Sequence, residues 1–159
     1  MAGKQEKTNV CRLLEQKKIE YKEYCYAELG LTNGVEIAEH MKQDPEHVFK
    51  TLVTVGKSKT NYVFVIPVAE ELDLKKAAKA VGEKAIEMLK QKDLLTLTGY
   101  VHGGCSPIGM KKTFVTVVHS SAETLDTIIF SGGKVGYQVE IKPADLAKII
   151  RFSYGDIIV

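Results

Sequence analysis

Val48-Phe49-Lys50-Thr51-Leu52-Val53-Thr54-Val55, then Gly56-Lys57-Ser58-Lys59-Thr60-Asn61, then Tyr62-Val63-Phe64-Val65-Ile66-Pro67-Val68: this stretch decides the fold. Its two outer runs are dense in β-branched and aromatic residues, and the glycine-led polar segment between them has the composition of a hairpin loop. The runs therefore pair as strands across residues 56–61. Both are apolar almost throughout, so they belong inside a sheet rather than on its exposed face. Long apolar hairpins of this kind argue against a purely doubly wound parallel sheet.

Working outward, Thr8 is placed to cap a first helix with Val10, Cys11, Leu13 and Leu14 on one face. A short aromatic strand is expected over 19–26, a turn over 30–34, and a second helix carrying Val35, Ile37, Ala38 and Met41. Beyond the hairpin, Asp73 caps a helix that Gly82 ends. A short strand near Ile86, a helix over 90–97, and strands over 113–118, 127–130 and 135–141 follow, the last entered through the Gly132-Gly133 turn. Pro143 at a first helical position predicts a closing helix that runs to Ile149. The class is α/β in the mixed α+β sense: one mixed sheet of about six or seven strands with helices packed around it. Residues 1–159 read as a single domain, with 1–7 as a disordered tail.

The chain has 159 residues, 22 Lys and Arg against 20 Asp and Glu, and three widely spaced cysteines. It is long enough for one well-buried core. No apolar run reaches the roughly 18 residues that would span a bilayer, and the polar start is unlike a secretory leader. An odd cysteine count without CxxC spacing argues against a disulfide scaffold and against a zinc site. No metal and no other cofactor is expected. Reduced thiols suit the cytoplasm.

Chemistry concentrates in two places. The first is Gly99-Tyr100-Val101-His102-Gly103-Gly104-Cys105-Ser106-Pro107-Ile108-Gly109-Met110-Lys111-Lys112, with four glycines and one proline in its first eleven residues. Glycines let backbone amides approach a ligand, and successive N–H groups can hold an anion or a developing oxyanion. Composition alone equally allows a flexible crossover loop, and neither GxxxxGK[ST] nor GxGxxG is present. The second is Lys50, a cation inside an apolar strand on the same side as Val48 and Leu52. It either escapes to solvent from an edge strand or lines a pocket. Cys105 is the one candidate nucleophile of the loop, but a thiol needs a basic partner that the sequence does not locate.

VFKTL at 48–52 followed by GYxxGGxSPIGxKK at 99–112 resembles the YbaK family of aminoacyl-tRNA deacylases, which is related to the editing domain of some prolyl-tRNA synthetases. Pro67-Val68-Ala69, Leu72-Asp73-Leu74-Lys75-Lys76 and Ser131-Gly132-Gly133-Lys134 leading to Pro143-Ala144-Asp145-Leu146 extend the likeness over nearly the whole chain. The resemblance implies a barrel-like mixed sheet and release of a wrongly attached amino acid from tRNA. The expected substrate is Cys-tRNA(Pro), with Cys-tRNA(Cys) beside it, cleaved by attack of the substrate's own thiol on its ester. It implies catalytic roles for Lys50, Gly103, Gly104, Ser106 and Gly109. It implies substrate contacts from Tyr26, Asn33, Thr51, Pro107, Ile108 and Gln138. The partners it implies are the aminoacylated 3′ end of a mischarged tRNA and prolyl-tRNA synthetase, and no membrane. Asn33 and Gln138 stand where close relatives carry phenylalanine and aspartate. That leaves open a deacylase for another small amino acid, such as Ala-tRNA(Pro). A noncatalytic RNA- or synthetase-binding module and a Cys105-dependent hydrolase are the remaining readings.

Overall fold

A computed structural model describes residues 7–31 and 33–159. Apart from Lys7, the expected tail over residues 1–7 lies outside them. In chain order the elements are α1 (Asn9–Gln16), β1 (Lys22–Cys25), α2 (Gly34–His40), β2 (Phe49–Gly56), β3 (Asn61–Pro67) and α3 (Leu74–Val81). Then come β4 (Ile86–Met88), α4 (Gln91–Thr98), β5 (Val115–His119), β6 (Ile128–Ser131), β7 (Tyr137–Ile141), α5 (Pro143–Leu146) and β8 (Ser153–Gly155).

The β2–β3 hairpin forms as its composition requires, antiparallel from Phe49↔Pro67 to Val55↔Asn61. It sits inside a five-stranded sheet of order β4-β2-β3-β5-β8, in which β3–β5 and β5–β8 are parallel. Strand β3 explains why its sequence does not alternate. Val63 and Val65 join one core with Val10, Phe49, Ile108, Val118 and Phe130. Tyr62, Phe64 and Ile66 join a second core with Ala77, Ala78, Val117 and Ile157. A strand buried on both faces gains apolar burial from every residue, about 1.5–3 kcal/mol for each large side chain.

A second sheet, β1-β7-β6, is antiparallel throughout. The described residues thus hold eight strands in two sheets, not six or seven in one. A parallel bridge between Val48 and Ile129 connects the sheets at the start of β2. No closed barrel forms among the described residues. The mixed α/β class stands.

The caps follow the sequence. Thr8 Oγ1 accepts from Cys11 N at 3.2 Å. Asp73 Oδ1 accepts from Lys75 N and Lys76 N at 2.9 and 3.0 Å, and Gly82 ends α3 at φ 74°. The closing helix is the exception. Beyond Leu146, Lys148 N and Ile149 N bond back three residues, to Asp145 O and Leu146 O, so the chain tightens into turns before Ile149. Strand β8 is too short to leave a pattern in the sequence. No helix among the described residues is long and apolar enough to cross a membrane.

Candidate active site

Strand β4 pairs with β2 only over Thr54–Gly56, and Leu89 N adds one bond to Val53 O at 3.1 Å. Strand β4 therefore leaves the first half of β2 uncovered, β6 approaches that edge only at the Val48–Ile129 bridge, and a cavity of about 470 Å³ opens between them. Its walls come from α2, the start of β2, the β4–α4 turn, the loop after α4, and strands β6 and β7.

Seven of the residues singled out by sequence line this one cavity: Tyr26, Asn33, Lys50, Thr51, Gly103, Cys105 and Gln138. Lys50 is half-buried, and burial lowers its pKa while the nearby Glu71 and Glu70 carboxylates act in the opposite sense. Thr51 Oγ1 is buried and has no hydrogen-bond partner. Tyr26 is buried, which raises its hydroxyl pKa. Gln138 is 5% exposed and accepts from Gln43 Nε2 at 2.9 Å. Asn33 has a second duty: its Oδ1 caps α2, accepting from Val35 N at 2.9 Å and Glu36 N at 3.1 Å.

The glycine-rich loop divides in two. His102, Gly103 and Cys105 line the cavity. Gly103 holds φ 87°, a conformation that favours glycine. A Cβ on Gly104 would lie 2.9 Å from Val135 N, so the loop packs against the β6–β7 turn as only glycine allows. The Gly104 N–H is already bonded to Val101 O at 2.9 Å. Ser106, Pro107 and Ile108 are buried and do not line the cavity, and Gly109 does not line it either. Ser106 Oγ accepts from Ile108 N at 3.3 Å, and Tyr100 Oη donates to Ile108 O at 2.5 Å. Ile108 is fully buried in the main core. This second half fixes the first from beneath.

Cys105 touches the cavity, but burial pushes its thiol up to about 12, against a lowering contact from Thr98. It is a neutral thiol near neutral pH, unsuited to nucleophilic attack. No group of three or more His, Cys, Asp or Glu among the described residues could hold a metal ion.

Sequence reasoning missed the wall formed by Met88, Leu89 and Leu94, and also Phe130 and Ser131 of β6. Met88 ends the three-residue strand β4 and is 45% accessible, an exposure that only the structure shows. Phe130 and Ser131 carried no signal, because they reach the site only through the bridge between the two sheets.

The family model for an aminoacyl-tRNA editing domain matches residues 32–149. Over 154 residues, 96% of this chain and 94% of the relative, the sequence is 46% identical to a protein of Enterococcus faecalis named "Putative Cys-tRNA(Pro)/Cys-tRNA(Cys) deacylase EbsC". The fold is similar to that of a "putative trans-editing enzyme for prolyl tRNA synthetase", with a TM-score of 0.79, 21% identity, and 96% and 98% of the two chains covered. It is also similar to a crystal structure of a hypothetical protein, with a TM-score of 0.81, 18% identity, and 93% and 97% covered.

Proposed function

Because the chain belongs to the aminoacyl-tRNA editing domain family, we propose that it is a deacylase that frees tRNA of a wrongly attached amino acid, with Cys-tRNA(Pro) as its main substrate and Cys-tRNA(Cys) beside it. The observation that carries this reading is one cavity shared by Lys50, on the edge of β2 that β4 leaves uncovered, and by Gly103 and Cys105 of the glycine-rich loop. The whole chain acts as one editing domain.

In this reading Lys50 holds ribose or phosphate oxygens of the tRNA end and so fixes the ester. The substrate cysteine's own sulfur attacks the ester carbonyl. The S–C bond forms, the C–O bond to the ribose breaks, and the thiol proton passes to the departing 3′ oxygen. A cysteine thiolactone leaves and is hydrolysed in water. The protein then supplies proximity and electrostatic stabilisation rather than a nucleophile. The loop's oxyanion donors are the N–H groups of Gly103 and Cys105, since the Gly104 N–H is taken by Val101 O. The neutral Cys105 thiol and the Ser106 hydroxyl buried away from the cavity both favour this division of labour. Prolyl-tRNA synthetase supplies the choice of tRNA, as a partner that hands over the mischarged end.

The experiment is release of labelled cysteine from Cys-tRNA(Pro) by purified protein, with and without prolyl-tRNA synthetase. Multiple turnover is expected. Its absence in both arms would leave a noncatalytic RNA- or synthetase-binding module. A second reading, release of alanine or another small residue, is favoured by one observation: Asn33 and Gln138 give this cavity two neutral amides in its wall. Alanine has no thiol, so water would have to attack. Side-by-side turnover of Cys-, Ala- and Ser-tRNA decides between the two.

A further inference from the structure

This inference rests on the deacylase reading and concerns the charge state in which the substrate is held. Among the described residues lining the cavity none is Asp or Glu. Gln138 lies in β7, across from Tyr24 of β1 on one side and Ser131 of β6 on the other. Gln43, in the segment after α2, directs its Nε2 at Gln138 Oε1. With one lone pair of that oxygen taken by Gln43, Gln138 keeps both N–H donors of Nε2 to offer. A group that meets those donors has to bring a lone pair. The α-amino group of an aminoacyl ester has a lone pair only when it is unprotonated; as an ammonium it can only donate.

The rest of the wall points the same way. Lys50 on β2 brings a second positive charge, and the carboxylates that face it, Glu70 and Glu71, sit in the turn after β3 and do not line the cavity. The other titratable groups of the wall are His102 and Cys105 of the loop and Tyr26 after β1. The unpartnered Thr51 hydroxyl can serve either form of the amine.

We propose that Gln138, held by Gln43, makes this cavity selective for an aminoacyl end whose α-amine is uncharged. An α-amino group has a pKa of about 7.7–8.0, so near pH 6 only on the order of 2% carries the lone pair. Apparent affinity falls by that same fraction.

The test uses two uncleavable probes, 3′-alanylamino-3′-deoxyadenosine and its 3′-propionylamino counterpart, which lacks the amine. Dissociation constants are measured by calorimetry near pH 6 and near pH 8.5 on the full chain. The alanyl probe is expected to bind more than about tenfold tighter at the higher pH. The propionyl probe should change little, which separates the amine from titration of the protein. Gln138→Glu keeps the shape and the acceptor for Gln43 but adds a carboxylate, and it should remove or reverse the preference. Equal or tighter alanyl binding at low pH, or a parallel change with both probes, overturns the proposal. If Gln138→Glu fails to fold, the two probes on the unaltered protein decide alone. Cysteine release from Cys-tRNA is followed on the same preparation. No release at any pH sinks the deacylase reading, whereas release with pH-independent alanyl binding sinks only this inference.

Discussion

The two halves of β2 carry similar residues and do different work. In the second half, Thr54 is fully buried and its Oγ1 donates to Tyr62 O at 3.0 Å, with β4 alongside. In the first half, Thr51 also has a buried hydroxyl, yet nothing bonds it, and β4 does not reach the edge beside it. A polar group buried with a partner contributes to the fold. One left without a partner costs stability and is kept only where something else meets it. The glycine-rich loop repeats the division: His102, Gly103 and Cys105 line the cavity, and Ser106 to Ile108 are buried away from it. Function sits where the sheet stops, and stability sits where it closes.

The comparison breaks first at Lys50. Lys50→Ala should lower kcat/KM for Cys-tRNA by about 10²–10³-fold, the scale of losing one charged contact made in the transition state. Its melting temperature should stay level or rise slightly. Burial depresses the lysine's pKa, so in the window between its folded value and 10.5 the unfolded chain binds more protons and stability rises with pH. At neutral pH the charged lysine is therefore a net cost to the fold. A large loss of stability with activity per folded molecule intact would place Lys50 with the structural half instead.

Next comes Ile108. Ile108→Ala should destabilise by about 2–5 kcal/mol in denaturant unfolding, as for other large-to-small core changes. Its residual folded fraction should keep its KM. A raised KM without destabilisation would move Ile108 to the substrate side of the loop.

The threonine pair sharpens the contrast at smaller amplitude. Thr54→Val should cost about 1 kcal/mol of stability and leave kcat/KM alone, while Thr51→Val should keep or slightly raise stability and lose about threefold to tenfold in kcat/KM. Reversed outcomes would mean that the open edge is not where substrate lies. The smallest effect is expected from Cys105→Ala, which should retain deacylation within about twofold, because a thiol held near 12 supplies no thiolate at neutral pH. A collapse of activity there would revive a protein-derived nucleophile.

Much of the fold was legible because its signals are local. The β2–β3 hairpin, the Thr8 and Asp73 caps and the Gly82 stop each depend on residues within a few positions of one another. The number of sheets and the early end of α5 were not legible. The first depends on which distant strands pair, and the second on hydrogen bonds tightening after Leu146. Lys50 and Gly103 stood out in the sequence as a misplaced cation and a glycine cluster. Gln43, which orients Gln138 from 95 positions away, did not, and neither did Phe130.

The sequence by itself determined the mixed α/β class, the central hairpin, the loop and the lysine, because periodicity, caps and turn residues act over short separations. Only the tertiary structure decided that β4 stops short of Lys50 and that Val48 bridges to Ile129. It alone divided the loop between cavity and core and turned Gln138 toward Gln43. Those outcomes depend on how much of one strand another covers, and coverage is settled by packing between segments that no local pattern connects.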